Sequence, residues 1–439
     1  MDSRRFLRFL YLSLTASIGF ALFIIFADQR SCNKGDLQRL VLRPSFVDST
    51  GKYIISTHAV VAHKWTLLNQ APLCIAFQAN FEQSFQLIDF LNSWTGAVSC
   101  ALFTPGQDFH LATAFLSYLN RCHPAVARQV NFHFIYPKNR PPPSESFPVP
   151  DLYLSCGLSP QEVVEHLLRL SSNRTQRDQD EVLPISLMRN VARTHCSSPW
   201  VMSSSPGIIL PGKTKKKEWR GAIERFLLKE ESAVNCSKRA YILPIYEVKD
   251  RKRLANKSEL LSQVGANKAR QYLGEVAGLD QRSTDLSRWE KVPPGEGLGV
   301  AYPVEKFIFP YVPVYIAKQG TPRYDERYLD PEDAVARAMQ TYDMMMNNYT
   351  FHVVDNLFLY RKVPWTEKWN VEKENNEEVQ RNNRSPLLSA HVLEFAAKYD
   401  RDPLGLLWAA GPAGAQRQKV RVILKTPKAA LLPEKTNPK

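Results

Sequence analysis

LCIAF (Leu73–Phe77), VSCALF (Val98–Phe103) and VNFHFIY (Val130–Tyr136) are three short apolar runs, and what separates them decides the fold. Each is of strand length, and the third is rich in β-branched and aromatic residues. Between the first two, Phe81, Phe85, Ile88 and Leu91 recur at helical spacing across Phe81–Trp94. Between the second and third, Leu111–Leu119 is helix-like. Strand, helix, strand, helix, strand at this interval predicts an α/β domain with a largely parallel, mixed sheet. Such sheets bind ligands beyond the carboxyl ends of their strands.

The pattern continues downstream. Gln161–Leu170 and Leu187–Thr194 (LMRNVART) read as helices, and Trp200–Met202 as a strand. Glu218–Lys229 places Trp219, Ile223, Phe226 and Leu227 on one helical face. Tyr241–Val248 reads as a strand, Asp333–Met346 as a helix behind Pro331, Thr350–Leu359 as β-rich, and Leu387–Tyr399 as a helix. Asn173–Glu181 and Asn370–Arg384 are polar and charged, as in surface loops. Beyond about Ala409 the Ala/Pro/Lys-rich tail has little to bury and is expected to be disordered.

The N-terminus carries a membrane signal. No charged residue interrupts Phe9–Phe26 (FLYLSLTASIGFALFIIF). A helix of roughly 18 residues nearly crosses a hydrocarbon core of about 30 Å. Arg4, Arg5 and Arg8 precede it, which keeps the N-terminus cytosolic. The run is long for a signal peptide and lacks a clean small-x-small site after it, which favours an uncleaved anchor over a cleaved leader. The expected organisation is a cytosolic tip (1–8), a transmembrane anchor contacting lipid (9–26), a stem (27–70), a lumenal domain (71–408) and a tail (409–439). The sequons at Asn173, Asn235, Asn256 and Asn348 then become candidate glycan sites. The compartment is oxidising, so cysteines are free to pair. Six of the seven cysteines lie in the main domain, and Cys32 sits near the membrane, either as a free thiol or as a link between two stems of a homodimer. No CxxC spacing is present, which argues against a zinc site. Net charge is +14. A lumenal address excludes nucleic acid as its partner, and a solvated basic surface accounts for it.

Several collinear segments resemble one family: VNFHFIYP (Val130–Pro137), LMRNVAR (Leu187–Arg193), EWRGAIERFL (Glu218–Leu227), YILPIYEVK (Tyr241–Lys249), NKSELLSQ (Asn256–Gln263), LSRW (Leu286–Trp289) and FPYVPVYIAKQGTPRYDERYL (Phe309–Leu329). They resemble the GT-A-type glycosyltransferases that include β-1,4-glucuronyltransferase and the C-terminal domain of the LARGE enzymes. The resemblance covers about Pro72 to Tyr399. It implies a GT-A-like fold, a Golgi location, a UDP-sugar donor (UDP-glucuronate), a xylose-ended acceptor on an O-mannosyl glycan, and a divalent cation, Mn2+, at the donor diphosphate. A partner glycosyltransferase is a further expectation.

The same resemblance locates the site and shows where this chain departs from it. The family's metal-binding Asp-x-Asp turn follows the strand after its LxRNxAR-like helix. Here Thr194–Lys217 contains no acid, and Ser203, Ser204, Ser205, Pro206 and Ile208 stand at the expected place. The family's later metal histidine follows a β-rich run, where this chain has Tyr360-Arg361-Lys362. An arginine there repels a cation but pairs with a diphosphate. The resemblance leaves Asp325 and Glu326 as candidate catalytic or acceptor-binding acids, with Arg189, Asn190, Arg323, Tyr324 and Arg361 as candidate substrate-binding residues. The alternative for the acids is that they order a turn and pair with Arg323 and Arg327. His195 and His352 read as structural. Two functions follow from the resemblance: an active glucuronyltransferase, or a pseudoenzyme that binds glycans or stabilises a partner.

Overall fold

A computed structural model describes residues 45–143, 154–171, 182–212, 219–233, 238–249, 253–272, 281–295, 297–328, 334–363 and 386–406. The strands are β1 (Phe46–Val47), β2 (Tyr53–Val60), β3 (Leu73–Asn80), β4 (Val98–Phe103), β5 (Val130–Pro137), β6 (Trp200–Ser204) and β7 (Arg239–Leu243). They continue with β8 (Ile245–Val248), β9 (Ala269–Gln271), β10 (Gly299–Pro303), β11 (Val314–Lys318), β12 (Thr350–Asp355) and β13 (Leu359–Lys362). Ten of them form one sheet in the order β1-β2-β5-β4-β3-β6-β11-β7-β12-β10, and β13-β8-β9 form a second.

The three apolar runs are the centre of the large sheet. β3, β4 and β5 pair in parallel, with Phe77 opposite Cys100 and Cys100 opposite Phe132. Every residue of β4 and β5 is buried, because both faces are covered. On one face Cys74, Ala76, Ala101, Phe103 and Ile135 meet Leu187, Met188, Val191 and Ala192 of the Ile185–Thr194 helix. On the other, Phe77 meets Phe90, and Phe134 meets Phe109 of the Asp108–Cys122 helix. The period of two along each strand sorts these residues to their faces.

The sheet is mixed, as expected, but less parallel than expected. β3–β6 and β7–β12 add parallel pairs, while β11 inserts antiparallel between β6 and β7, and β2 and β10 join antiparallel. Residues from Phe46 onward, expected as stem, belong to the sheet through β1 and β2. This mixed α/β architecture fits a GT-A-like fold.

Local chemistry explains three further departures. Phe81–Trp94 is not one helix: Asn80 Oδ1 accepts from Gln83 N, and Ser84 Oγ donates to Phe81 O, so a 3-10 turn precedes a short Leu87–Leu91 helix. Pro244 splits the Tyr241–Val248 run, because it has no N–H for the ladder. Thr350–Leu359 divides at Asn356, which takes φ 60°. Both breaks carry the chain from the large sheet to the small one: β7–β12 and β8–β13 are each parallel pairs, and Leu359 N donates to Pro244 O. Beneath this switch lies an aromatic core that includes Tyr246, Trp289, Tyr311, Tyr342, Phe351 and Phe358.

Two disulfides form, Cys74–Cys196 and Cys122–Cys156, and Cys100 is a buried thiol. Cys32, Cys236, the 9–26 anchor and the 409–439 tail lie outside the described residues. No helix among the described residues is long and apolar enough to cross a membrane. The Cys74–Cys196 bond spans 122 residues and Cys122–Cys156 spans 34. Chain entropy makes the longer crosslink worth about 1 kcal/mol more. Alanine replacement of the first pair should therefore lower the denaturation free energy by about that much more than replacement of the second, read from urea melts.

Candidate functional site

After β11 the chain turns at Gly320 (φ 93°) and runs back along the Ile185–Thr194 helix. Arg193 donates to Pro322 O at 3.2 Å and to Thr321 O at 3.4 Å. Asn190, 2% exposed, uses its amide as a surrogate peptide. Its Nδ2 donates to Tyr324 O (2.8 Å) and its Oδ1 accepts from Tyr324 N (2.9 Å). The Tyr324 ring is buried, with the Arg189 and Arg193 guanidinium carbons 5.2 and 5.7 Å from its centroid. The structure thus brings Arg189, Asn190 and Tyr324 together.

The two candidate acids follow at once, and both are already engaged. Glu326 accepts from Asn190 Nδ2 (2.8 Å), Ser49 Oγ (2.6 Å) and Arg323 (2.7 Å). Asp325 accepts from the Arg327 backbone N–H and guanidinium, and lies 3.5 Å from His391 Nδ1. Arg327 also forks onto Glu394 at 2.7 and 2.8 Å. Burial alone would raise the Asp325 pKa, but the Arg327 hydrogen bonds outweigh it and hold the carboxyl below its ordinary value. Glu394 is lowered for the same reason, chiefly by Arg327. Burial likewise makes His391 harder to protonate, although Asp325 opposes this. Asp325, Glu326, Arg327, His391 and Glu394 line an open cleft of about 900 Å³ together with Asp343, Lys398 and Tyr399. Ser49, His391 and Glu394 escaped sequence reasoning because they come from the first hairpin and the last helix. Only the fold brings them to the PRYDER segment.

A second locus lies beyond the carboxyl end of β6. A turn closes there with Ile208 N donating to Ser205 O, and Gly207 takes φ 81°. Ile209 then forms an antiparallel bridge with Tyr360, through Ile209 N to Tyr360 O (2.9 Å) and Tyr360 N to Ile209 O (3.0 Å). The two segments expected to supply a metal site therefore do meet. Their chemistry does not fit a hard divalent cation, which takes carboxylate, carbonyl or water oxygens. Ser203–Ile209 and Tyr360–Lys362 carry no carboxylate and no imidazole, and Arg361 and Lys362 are exposed cations on opposite faces of β13. Ser204 Oγ and Thr104 Oγ1, at the carboxyl ends of β6 and β4 on either side of β3, are buried with no hydrogen-bond partner among the described residues.

Of the candidate glycan sites, Asn348 is exposed at φ 60° and Asn256 caps the Lys257–Gly265 helix by accepting from Glu259 N. Asn173 and Asn235 lie outside the described residues. His352 bonds to Thr350 Oγ1 on β12. His195 is not isolated: its ring packs on His58 and His133.

Two outcomes follow for the cleft. Asn190→Leu removes both partners of the Tyr324 peptide groups and should cost about 2–4 kcal/mol of stability in urea titration. Asp325, with its folded pKa depressed, adds stability that is present above its unfolded value near about 4 and lost as pH falls through the folded value. Asp325→Asn should therefore show a flatter stability profile than the parent protein below about pH 4, read by thermal melts across that range.

Residues 72–400 match the model of a family described as glycosyl-transferase for dystroglycan. The chain is also similar to Beta-1,4-glucuronyltransferase 1 of Danio rerio, at 25% identity over 361 residues, covering 77% of this chain and 80% of that protein. The matched span contains β3 to β13, the PRYDER cleft and the Ile209–Tyr360 junction. The chain belongs to this glycosyltransferase family.

Proposed function

We propose that the protein is a type II Golgi membrane glycosyltransferase that moves glucuronate from UDP-glucuronate to a xylose-ended acceptor during O-mannosyl glycan synthesis. The observation that carries the donor assignment is the Ile209–Tyr360 bridge. It sets an exposed Arg361 and Lys362 against the turn at the carboxyl edge of the sheet, where α/β proteins bind ligands. Guanidinium and ammonium groups there meet the negative charge of a diphosphate directly. Ser204 Oγ and Thr104 Oγ1 offer unused hydroxyls at the same edge. The acceptor is assigned to the cleft of about 900 Å³ around Tyr324–Arg327, whose volume suits a sugar. In transfer, an acceptor hydroxyl oxygen bonds to the anomeric carbon as the bond from that carbon to the β-phosphate oxygen breaks. UDP leaves with the electron pair, and the hydroxyl proton passes to a carboxylate of the cleft. The anchor at Phe9–Phe26 supplies the membrane tether, and Cys32 a stem-to-stem link.

A second reading, a pseudoenzyme that binds glycans or a partner glycosyltransferase, is favoured by a specific observation. Both cleft acids are occupied by Asn190, Ser49, Arg323 and Arg327, and the donor locus lacks the acids of a metal site.

Calorimetric titration of the full-length protein with UDP decides between them. Binding in EDTA that manganese does not strengthen, and that Arg361→Glu with Lys362→Glu weakens by about tenfold or more, is the expected result. Release of UDP from UDP-glucuronate that depends on a xyloside acceptor then establishes transfer. Absence of both UDP binding and release leaves the pseudoenzyme. Binding that requires manganese overturns the metal-free donor site. Protease protection in sealed Golgi vesicles, lost on adding detergent, is the expected sign of a lumenal domain.

A further inference from the structure

We infer that His58, His133 and His195 form a binding site for a divalent transition metal of the zinc class, at the amino edge of the sheet and away from the donor turn. One ring nitrogen from each histidine can be chosen so that all three lie within 4.8 Å of one another. Ring centroids are 4.9 Å apart for His58–His133 and His58–His195, and 4.5 Å for His133–His195. Zinc–nitrogen bonds of about 2.0–2.1 Å at tetrahedral angles put ligand nitrogens roughly 3.4 Å apart, so closure needs rotations that shorten the widest gap by at most about 1.4 Å.

Three separate elements deliver these rings. His133 comes from β5 and is wholly buried. His195 is the C-cap of the Ile185–Thr194 helix, and the neighbouring Cys196 is fixed by its disulfide to Cys74. His58 sits in β2, where the register with β5 shifts between Ser56 and Val60, and it adopts φ 53°. A left-handed conformation is uncommon for a residue other than glycine, and such a position is a pointer to function. Here it carries the imidazole toward the other two.

The surrounding hydrogen bonds select ligand atoms. Ser99 Oγ lies 3.0 Å from His133 Nε2, which leaves Nδ1 for a metal. That nitrogen now accepts from the His58 N–H at 3.0 Å, a hydrogen bond that coordination would displace. Asn131, fully buried, approaches His58 Nδ1 with Nδ2 while its Oδ1 has no partner among the described residues. Turning the amide over gives Oδ1 the His58 Nδ1–H and selects the tautomer in which Nε2 carries the lone pair a metal needs. A metal-ligating histidine is normally held in this way by a hydrogen bond on its other nitrogen. Imidazoles suit zinc, copper and nickel better than manganese or magnesium. His58 and His195 are only partly buried, so the cluster is not sealed from solvent. The absence of a CxxC spacing excluded only cysteine-built sites, whereas these histidines converge from distant parts of the chain.

The test uses untagged full-length protein, stripped with EDTA and titrated with zinc alone against a competing chromophoric chelator. About one zinc per chain at micromolar or tighter affinity is expected, with a rise in Tm. His58→Asn tolerates the left-handed backbone, and His195→Gln is half-exposed. Each should weaken zinc binding by about tenfold or more while melting like the parent in EDTA. Cobalt in place of zinc should give the visible absorption of a tetrahedral nitrogen site in the parent protein. No zinc bound at about 10 μM, or binding equal in the parent and both variants, overturns the site. Should a variant melt low in EDTA, the parent's cobalt spectrum decides, and an octahedral aquo-type spectrum counts against the site.

Discussion

Parallel strands that are buried on both faces leave little side-chain surface open to a ligand. β3, β4 and β5 are in that position, enclosed by the Ile185–Thr194 helix on one side and by the Asp108–Cys122 and Leu87–Leu91 helices on the other. Chemistry is therefore driven to the ends of the strands. At the carboxyl end lie the Ser205–Ile209 turn and the unpaired hydroxyls of Ser204 and Thr104. At the amino end lie the Cys74–Cys196 bond and the three histidines. The same burial explains why the crossover segments have to be placed so firmly. A crossover that drifts would expose a mostly apolar face to water and strip the few buried polar groups on it, Ser99, Asn131 and His133, of their surroundings.

The cleft shows how such a scaffold holds an irregular segment. Gly320–Arg327 has no strand partner, so its backbone groups need partners from side chains. Asn190 and Arg193 supply them from one face of a helix. The carboxylates that follow are then spread among Arg323, Arg327, Ser49 and His391. Charge is balanced locally, and Arg327 shares itself between Asp325 and Glu394. Most of these pairs are partly exposed, so each adds little stability alone. Their value lies in fixing the geometry of the cleft wall.

Much of this was legible from residues alone, and the limits have physical causes. The central strands announced themselves because two-faced burial leaves an unbroken apolar run. The Leu187–Thr194 and Leu387–Tyr399 helices did so through their spacing. β2 was missed: its YIISTHAV mixes polar and apolar residues, and it joins the sheet only by pairing with β5, far away in sequence. β11 carries no local mark of its direction, so the sheet was expected to be more parallel than it is. At the site, Asp325, Glu326, Arg189, Asn190 and Tyr324 were identified through the family resemblance, and the structure shows them adjacent. Ser49, His391 and Glu394 were invisible because cleft membership depends on tertiary contact. The histidine trio was equally hidden, and His195 looked solitary among apolar neighbours.

The Ile209–Tyr360 junction, proposed above as the donor site, shows how one charge arrangement excludes another. A divalent cation held by two carboxylates contributes little net charge to its surroundings, since the acids offset the ion. Ser203–Ile209 and Tyr360–Lys362 carry the two cations Arg361 and Lys362 and no acid, while Glu247, opposite Arg361 in the β8–β13 pair, is itself held by Arg270. The two solutions cannot share one site, because an arginine at the ion's position repels it. Serines at the turn agree with this logic. Acids there would pair with Arg361 and Lys362 and withdraw them from a phosphate, whereas neutral hydroxyls leave both cations available and still offer hydrogen bonds. Ser203–Ile209 and Tyr360–Lys362 therefore form a consistent pair, joined by the Ile209–Tyr360 bridge, and a change in one makes sense only beside the change in the other.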